Sequence, residues 1–284
     1  MHDMQITFTK MHGLGNDFVV IDWQQNSSQT YFSLPSQTIS ALANRHTGIG
    51  FDQMLVIEPP RNDDVLAHYR VFNADGSEVE QCGNGARCIA AVLAKRDGID
   101  KGSPFRLGSE GGTISVRVLA DDTVEVELRA PDFSPPSVPF NQPQQRKRYA
   151  IALRGEIINA AAVSLGNPHC VLVVDDIETA PVERLGPALA SHKLFPEGVN
   201  VGFAEVVNRG HIRLRVFERG VGETRACGTG ACAAMVCARD NGLVDDEVEI
   251  SLPGGTLVIN WRNHNAPVVM TGPAAFSFEG TVQL

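Results

Sequence analysis

Two stretches of the chain carry the same pattern of residues. The first runs from Arg70-Val71-Phe72 to Cys82-Gly83-Asn84-Gly85-Ala86, and the second from Arg215-Val216-Phe217 to Cys227-Gly228-Thr229-Gly230-Ala231. The two stretches are offset by 145 residues throughout, and Glu78 and Glu223 match at the same offset. An internal repeat of this length predicts two homologous domains in one chain.

Further segments match in the same order at similar spacing. Gly15-Asn16 and Gly166-Asn167 each precede an apolar run, and Gly111-Gly112-Thr113 and Gly254-Gly255-Thr256 each begin a strand-like one. We therefore predict an N-terminal domain over 1–129 and a C-terminal domain over 130–269. The Pro- and Gln-rich stretch Pro131–Gln145 is typical of a linker or an excursion at a sheet edge.

Periodicity predicts the elements of each half. Apolar and polar residues alternate over 116–128 and 212–216, as they do in half-buried strands. After each Cys-Gly pair a helix is predicted, over 83–97 and 228–241, and each ends before a glycine. The predicted fold class is α/β (α+β), with two domains related by a pseudo-two-fold axis. Each domain is a curved mixed β-sheet or barrel around a central helix.

Composition limits the classes of function. The chain has 284 residues, 43% of them hydrophobic, and a net charge of −9, and its basic residues are scattered. This argues against nucleic acid as a partner. We find no signal-peptide pattern and no apolar run long enough for a membrane span, so a cytoplasmic location is expected. The six cysteines are then expected to be free thiols.

The two Cys-Gly-X-Gly segments stand where a strand ends and a helix begins. The first N–H groups of a helix are unpaired and carry partial positive charge, so they favour a bound carboxylate. The same position lowers the pKa of a thiol from about 8.5 toward neutrality. We therefore predict that Cys82 and Cys227 are reactive, whereas the other thiols are structural: Cys88, Cys170, Cys232 and Cys237.

Two matched thiols suit the inversion of a stereocentre. If the domains pack about a pseudo-two-fold axis, Cys82 and Cys227 face each other over one cleft. One thiolate then removes an α-proton, and the other thiol returns a proton to the opposite face. Fixed N–H donors stabilise the charge that develops on the substrate carboxylate, so no electron-sink cofactor is required.

Eight motifs together resemble the diaminopimelate epimerase family, a family of enzymes that do not use pyridoxal phosphate, over nearly the whole chain. They are Lys10-Met11-His12-Gly13-Leu14-Gly15-Asn16-Asp17-Phe18, Gly50-Phe51-Asp52-Gln53, Phe72-Asn73-Ala74-Asp75-Gly76-Ser77-Glu78, Gln81-Cys82-Gly83-Asn84-Gly85-Ala86-Arg87-Cys88, Gly166-Asn167-Pro168-His169, Val199-Asn200, Glu218-Arg219-Gly220 and Ala226-Cys227-Gly228-Thr229-Gly230-Ala231.

The resemblance implies interconversion of LL- and meso-diaminopimelate, in lysine and peptidoglycan precursor synthesis, without cofactor or metal. It makes Cys82 and Cys227 the acid/base thiols, and it places His169 and Glu218 where they tune the thiols. The residues it implies for substrate binding are Asn16, Gln53, Asn73, Gly83, Asn84, Asn167, Asn200, Glu218, Arg219, Gly228 and Thr229. Arginine suits a carboxylate and glutamate an ammonium group, in keeping with these roles.

The resemblance also implies that the last strand, within 270–284, returns to the first domain, and that the protein is a homodimer. Family members can carry a dimer-contact tyrosine where this chain has Phe278, which lacks the hydroxyl.

Three alternatives stay open on the residues alone. A proline-racemase-like enzyme would also use two thiols, although Glu218 and Arg219 favour a longer, doubly charged substrate. A thiol-redox or metal-binding protein is disfavoured because there is no Cys-X-X-Cys and no His-Glu-X-X-His. A nucleotide-binding module is disfavoured because no Gly-X-Gly continues to a third glycine in the required place.

Overall fold

The computed structural model describes residues 5–26, 31–79 and 83–284. The chain forms two compact units. Unit 1 comprises Met1–Val126 and Gly272–Leu284, and unit 2 comprises Glu127–Thr271.

The elements follow in chain order. Unit 1 contains β1 (Gln5–Gly13), β2 (Asn16–Asp22), α1 (Trp23–Asn26), α2 (Ser36–Ala43), β3 (Gln53–Glu58), β4 (Ala67–Asn73), β5 (Glu78–Val79), α3 (Gly83–Asp97), β6 (Phe105–Ser109) and β7 (Gly112–Val118). The boundary to unit 2 lies within β8 (Val124–Leu128).

Unit 2 repeats this order of elements. After a 3₁₀ turn at Pro135–Ser137 it contains β9 (Tyr149–Leu153), β10 (Glu156–Ser164), β11 (Pro168–Val174), α4 (Val182–Ala190), β12 (Asn200–Asn208), β13 (His211–Glu218), β14 (Gly222–Thr224), α5 (Gly228–Asp240), β15 (Glu247–Leu252) and β16 (Gly255–Asn260). The second boundary lies within β17 (Val268–Gly272), and β18 (Ala275–Gln283) belongs to unit 1.

The strand pairing is the same in both units. In unit 1, β1 pairs antiparallel with β2, β2 parallel with β3, and β3 antiparallel with β4. Strand β4 then pairs antiparallel with β5 and parallel with β6. In unit 2, β10 to β15 repeat each of these pairings in the same sense. The mixed α/β fold predicted from the repeat is confirmed.

One extra strand completes each sheet. Strand β18 pairs antiparallel with β1, and β9 pairs antiparallel with β10, so each borders the first strand of its repeat. Unit 2 takes this strand from the chain just before its repeat, whereas unit 1 takes it from the end of the chain.

A buried helix follows each Cys-Gly pair. Helix α3 packs on β1, β2, β3 and β7, and α5 packs on β10 to β13, β15 and β16. Gly98 (φ +64°) and Gly242 (φ +75°) adopt the left-handed conformation just after these helices, which ends them. The predicted helices are confirmed to within one residue.

The stretch Pro131–Gln145 is less peripheral than its composition indicates. Val138 and Phe140 are buried in the core of unit 2, and the Phe140 ring stacks on that of Phe195 at 4.4 Å. Asp132 forms a β-bridge with Ser164. The expectation of a linker or edge excursion is therefore corrected, because two apolar side chains anchor the proline-rich run in the core.

The repeated Arg-Val-Phe segments carry matching ion pairs. Arg70 donates two hydrogen bonds to the Glu78 carboxylate, at 2.6 and 2.7 Å, and Arg215 donates two to that of Glu223, at 2.6 and 2.9 Å. Bidentate pairs of this kind fix two strands in one register. In unit 2 the pair holds β14 against β13.

Five cysteines lie in the described part of the chain, and all five are buried: Cys88, Cys170, Cys227, Cys232 and Cys237. For Cys170, Cys227 and Cys237 the expectation of free thiols is confirmed. Cys82 lies outside the described residues.

Candidate active site

Cys227 occupies the N-cap position of α5, with extended backbone dihedrals (φ −123°, ψ 107°). Its carbonyl accepts the hydrogen bond of the Ala231 N–H, and the N–H of Gly230 points toward the thiol. The side chain is 4% exposed. The thiol lies here because the extended run after β14 turns into a helix at Gly228. Small residues at this turn allow the backbone to pass close to the Cys227 side chain.

Glu218 accepts a hydrogen bond from the thiol of Cys227. This carboxylate ends β13, and its Oε2 lies 3.1 Å from Cys227 Sγ. The other oxygen, Oε1, accepts a hydrogen bond of 2.6 Å from the Thr224 hydroxyl on β14. Both carboxylate oxygens are therefore engaged, one by the thiol and one by the hydroxyl.

A second set of hydrogen-bonded side chains leads to the thiol through Thr229. Thr229 Oγ1 lies 3.7 Å from Cys227 Sγ and accepts a hydrogen bond of 3.2 Å from the Asn167 amide. The amide oxygen of Asn167 lies 2.9 Å from His169 Nε2. Because that oxygen only accepts, Nε2 carries the ring hydrogen. The hydroxyl of Thr229 is then free to donate to the sulfur.

His169 is a neutral, buried member of this chain. It is 1% exposed, and burial lowers the pKa of its ring to about 3, with a smaller contribution from the positive charge of Arg219. His169 pairs with Asn200 across the parallel strands β11 and β12. Its route to the thiol runs through Asn167 and Thr229, so any effect on the thiol is indirect.

The environment of Cys227 opposes ionisation. Burial raises the pKa of the Cys227 thiol well above its ordinary value, and the adjacent Glu218 carboxylate raises it further. The Gly230 N–H and the Thr229 hydroxyl act in the opposite direction. The expectation that the helix start brings this pKa toward neutrality is therefore corrected, since desolvation and a like charge outweigh the helix.

Arg219 lies beside Asn200 at the exposed end of β13. The Asn200 amide oxygen accepts a hydrogen bond of 2.9 Å from the Arg219 N–H, and the guanidinium donates to the Glu197 carbonyl at 2.6 Å. The Arg219 stem passes over Gly198, which has a left-handed φ of +74° and where a Cβ atom would stand 2.7 Å from Arg219 Cδ. Only glycine leaves room for this path.

Unit 1 brings its own candidate residues together. The Asn84 amide donates to Asn16 Oδ1 at 3.4 Å, and the Gln53 amide donates to Asn73 Oδ1 at 3.0 Å. Asn84 is the second residue of α3, as Thr229 is of α5, and Asn16 corresponds to Asn167. The contact between Asn84 and Asn16 is therefore the counterpart of the contact between Thr229 and Asn167.

An ionic network supports Asn16. The Asp52 carboxylate accepts from the Asn16 amide at 3.1 Å, and Arg45 bonds both Asp52 and Asp17. Lys10 also contacts Asp17. Burial works to raise the pKa of the Asp17 carboxyl, but hydrogen bonds from Arg45 and Lys10 outweigh it and hold that pKa well below its ordinary value.

Sequence reasoning missed several members of these clusters. Thr224 lies outside the quoted motifs, although it follows Glu223, which the repeat does identify. Arg87 lies within a quoted motif, is fully buried, and donates to the Asn84 amide oxygen at 2.9 Å. Arg45 has no signal in the sequence, because a lone arginine in a loop is most often solvated.

Among residues 5–26, 31–79 and 83–284, no group of three or more His, Cys, Asp or Glu side chains is arranged to hold a metal ion. In the same ranges, none of the helices combines the length and the apolar character of a membrane span.

Comparison with known structures shows the fold. A hydroxyproline epimerase from Agrobacterium vitis superposes with a TM-score of 0.70 and 14% identity, covering 99% of this chain and 93% of that one. A phenazine biosynthesis protein of the PhzF family from Bacillus anthracis gives 0.68 and 15%, with 99% of each chain covered. A methylitaconate-delta-isomerase gives 0.67 and 11%, covering 100% and 96%.

Comparison of sequences identifies the family, whereas the structural similarities identify only the fold. The family model described as diaminopimelate epimerase matches residues 8–133 and 161–277, which include both repeated Cys-Gly-X-Gly segments and nearly all of the polar clusters described above. Together with the shared fold, this match shows that the chain belongs to the diaminopimelate epimerase family of isomerases.

Proposed function

We propose that this protein is a diaminopimelate epimerase, which interconverts LL- and meso-2,6-diaminopimelate in the synthesis of lysine and peptidoglycan precursors. The observation that carries the proposal is the thiol of Cys227 at the start of α5, 3.1 Å from the Glu218 carboxylate and connected through Thr229 to the Asn167 amide. This arrangement supplies a proton donor and acceptor together with neutral polar groups for an amino acid.

In the proposed reaction Cys82 and Cys227 are the two bases. One cysteine, as thiolate, accepts the α-proton, and the other, as thiol, donates a proton to the opposite face of the same carbon. The roles exchange in the reverse direction. One C–H and one S–H bond are broken, and one S–H and one C–H bond are formed, so no atom changes oxidation state and no redox partner is needed.

Backbone N–H groups stabilise the charge that develops on the reacting carboxylate. Helix α5 begins at Gly228 and Thr229, and α3 begins at Gly83 and Asn84. The first N–H groups of each helix lack partners within the helix and suit an anion. We assign the reacting carboxylate of the substrate to a helix start of this kind.

The other end of diaminopimelate carries a second carboxylate and a second ammonium group. Arg219 suits that carboxylate, because a guanidinium binds a carboxylate with two hydrogen bonds. The amides of Asn16, Gln53, Asn73, Asn167 and Asn200 can donate or accept as the ammonium and carboxylate require. A longer dicationic, dianionic substrate uses more of these groups than a monocarboxylic amino acid does.

The test is incubation of the purified protein with LL-diaminopimelate in deuterated water, followed by chiral separation and mass spectrometry. We expect meso-diaminopimelate to form with one deuterium at the inverted carbon. Absence of both exchange and inversion would contradict the proposal.

A proline or hydroxyproline epimerase is the second candidate. It is supported by the structural similarity to the hydroxyproline epimerase, whose crystal contained trans-4-hydroxy-L-proline. Parallel incubations with proline and hydroxyproline in deuterated water distinguish the two. Exchange with these substrates, and none with diaminopimelate, would favour the second candidate.

The quaternary state and location belong to the same proposal. The resemblance to the family supports a homodimer with Phe278, 53% exposed on β18, in its contact, and it supports a cytoplasmic location. Analytical ultracentrifugation of the protein and of Phe278→Asp tests the dimer. A monomer for the unsubstituted protein would contradict it.

A further inference from the structure

The two copies of the repeat differ at the positions of Glu218 and Thr224. The residue 145 positions before Glu218 is Asn73, and the residue 145 positions before Thr224 is Val79. Asn73 ends β4 as Glu218 ends β13, and Val79 lies in β5 as Thr224 lies in β14. A carboxylate held by a hydroxyl is therefore present in unit 2 and replaced by an amide and an apolar side chain in unit 1.

We propose that Thr224 is a positioning residue, which holds the Glu218 carboxylate in the orientation that keeps Cys227 protonated. Its hydroxyl donates to Oε1 at 2.6 Å, and this leaves Oε2 directed at the thiol 3.1 Å away. The proposal extends the proposed function, on which its consequence for catalysis rests. In that reaction, Cys227 starts as the proton donor.

The orientation of Glu218 needs a second contact because its side chain is half-buried at the end of a strand. A glutamate has three rotatable side-chain bonds, and a single hydrogen bond from a thiol, which is a weak donor, restrains them weakly. A hydrogen bond to an ionised group is stronger than one between neutral groups, so a second donor restricts the carboxylate to one rotamer. Thr224 supplies that bond from the neighbouring strand.

Strand β14 itself is fixed in register. Glu223, the residue before Thr224, is held by both donors of Arg215 on β13. The β13–β14 pairing places Phe217 opposite Glu223 and Glu218 opposite Gly222. The Thr224 hydroxyl therefore meets the Glu218 carboxylate diagonally across a short hairpin whose register the ion pair maintains.

The groups that face the thiol define what else affects its titration. Glu218 approaches from β13, Thr229 and the Gly230 N–H from α5, and Asn167 with His169 from β11. Of these, Glu218 carries charge, and His169 is neutral with its pKa lowered by burial. A change confined to Thr224 leaves every other group in place.

The test measures the thiol directly and needs no substrate. In a Cys82→Ala background, Cys227 is alkylated with iodoacetamide from about pH 7 to about pH 12, and the rate is followed by mass spectrometry of the Cys227 peptide. Because only the thiolate reacts, the midpoint of the rate profile reports the pKa of Cys227. Circular dichroism of each variant checks the fold.

Three variants give the expected pattern. Glu218→Gln lowers the midpoint by about one pH unit or more, because it removes the like charge. Thr224→Val lowers the midpoint by part of that amount. The valine methyl group cannot donate a hydrogen bond to Glu218 Oε1, so the Glu218 carboxylate turns toward water and away from the thiol. Thr224→Ser, which keeps the hydroxyl, restores the original midpoint.

Thr179 provides the matched control. Its hydroxyl also donates to a carboxylate of unit 2, that of Asp176 at 3.1 Å, away from the thiol. Thr179→Val leaves the midpoint unchanged. A Thr224→Val midpoint equal to that of the parent would overturn the proposal, as would an unchanged or raised midpoint in Glu218→Gln. Since labelling does not depend on diaminopimelate, a failure of the proposed substrate is detected separately.

Discussion

Glu218 Oε2 lies 3.1 Å from the sulfur of Cys227, within reach of its thiol hydrogen. The contact joins the end of β13 to the start of α5. It combines two opposing influences on one thiol, since a helix start favours the thiolate and a carboxylate favours the thiol. Burial of Cys227 acts in the same direction as the carboxylate, so the protonated thiol is the stable form.

The first prediction concerns the two proposed bases. Cys82→Ala and Cys227→Ala should each reduce epimerisation of diaminopimelate by about 10³-fold or more, because each removes one of two proton-transfer groups. Chiral analysis of the product measures this. Cys88→Ala is the matched control, since Cys88 lies in α3 with no proposed role, and it should keep most of the activity. Near-full activity in either variant would refute the two-base mechanism.

The second prediction concerns the path of Arg219. Gly198→Ala should raise KM for diaminopimelate about tenfold, because the new methyl group displaces the Arg219 stem, which passes 2.7 Å from the Cβ position. Gly155→Ala is the matched control, since Gly155 also has a left-handed φ (+86°) but open space around its Cβ position. Both variants should lose about 1 kcal/mol of stability, and only Gly198→Ala should change KM. Equal KM values would contradict the assignment.

The third prediction concerns the dependence of stability on pH. The unfolded chain protonates His169 near its ordinary pKa of 6.5, whereas the folded protein does so only near 3 because the ring is buried. The unfolded state therefore binds more protons between these values, and stability falls as the pH decreases below about 6.5. The contribution is about 1 kcal/mol per pH unit between about pH 6 and 5, a range above the titration of ordinary carboxylates.

Denaturant unfolding at several pH values measures this slope. His169→Phe should flatten it between about pH 6 and 5. Phenylalanine is the matched replacement, because Phe18 occupies the corresponding position in unit 1 and is fully buried there. If the variant keeps the slope of the parent protein, His169 is not the group responsible.

The fourth prediction concerns the proline-rich stretch before β9. Phe140→Ala should reduce the free energy of unfolding by about 3 kcal/mol, because it removes a buried ring stacked on Phe195 and packed edge-on against Tyr149. Ile157→Ala is the control, because Ile157 is 64% exposed on β10 and should change stability by less than about 0.5 kcal/mol. A loss as small as that of the control would show that the stretch does not belong to the core.

The repeat explains how much of the fold was predictable. Each unit joins two corresponding strands with a bidentate ion pair. The pair is Arg70 with Glu78 in unit 1 and Arg215 with Glu223 in unit 2, and both pairs have the same spacing in the sequence. The helix ends at Gly98 and Gly242 were predictable because glycine there adopts a conformation that other residues avoid. Such features depend on residues close in the chain or repeated along it.

Long-range contacts were less predictable. Nothing in the sequence around Arg45 indicates that it bonds Asp17 and Asp52, since that contact depends on the parallel pairing of β2 with β3. Composition likewise misjudged Pro131–Gln145, because two apolar residues, Val138 and Phe140, outweigh the prolines around them once a core is available.

The sequence by itself determined that the chain contains one fold twice and that each copy carries a cysteine at the start of a buried helix. These are local and periodic properties, which spacing records. Only the tertiary structure decided the surroundings of Cys227, because sheet pairing brings Glu218 to the thiol. Thr224 holds Glu218, and Asn167 and His169 reach the thiol only through Thr229. Desolvation and like charge, which follow from that packing, reversed the effect on its pKa that the helix start alone predicted.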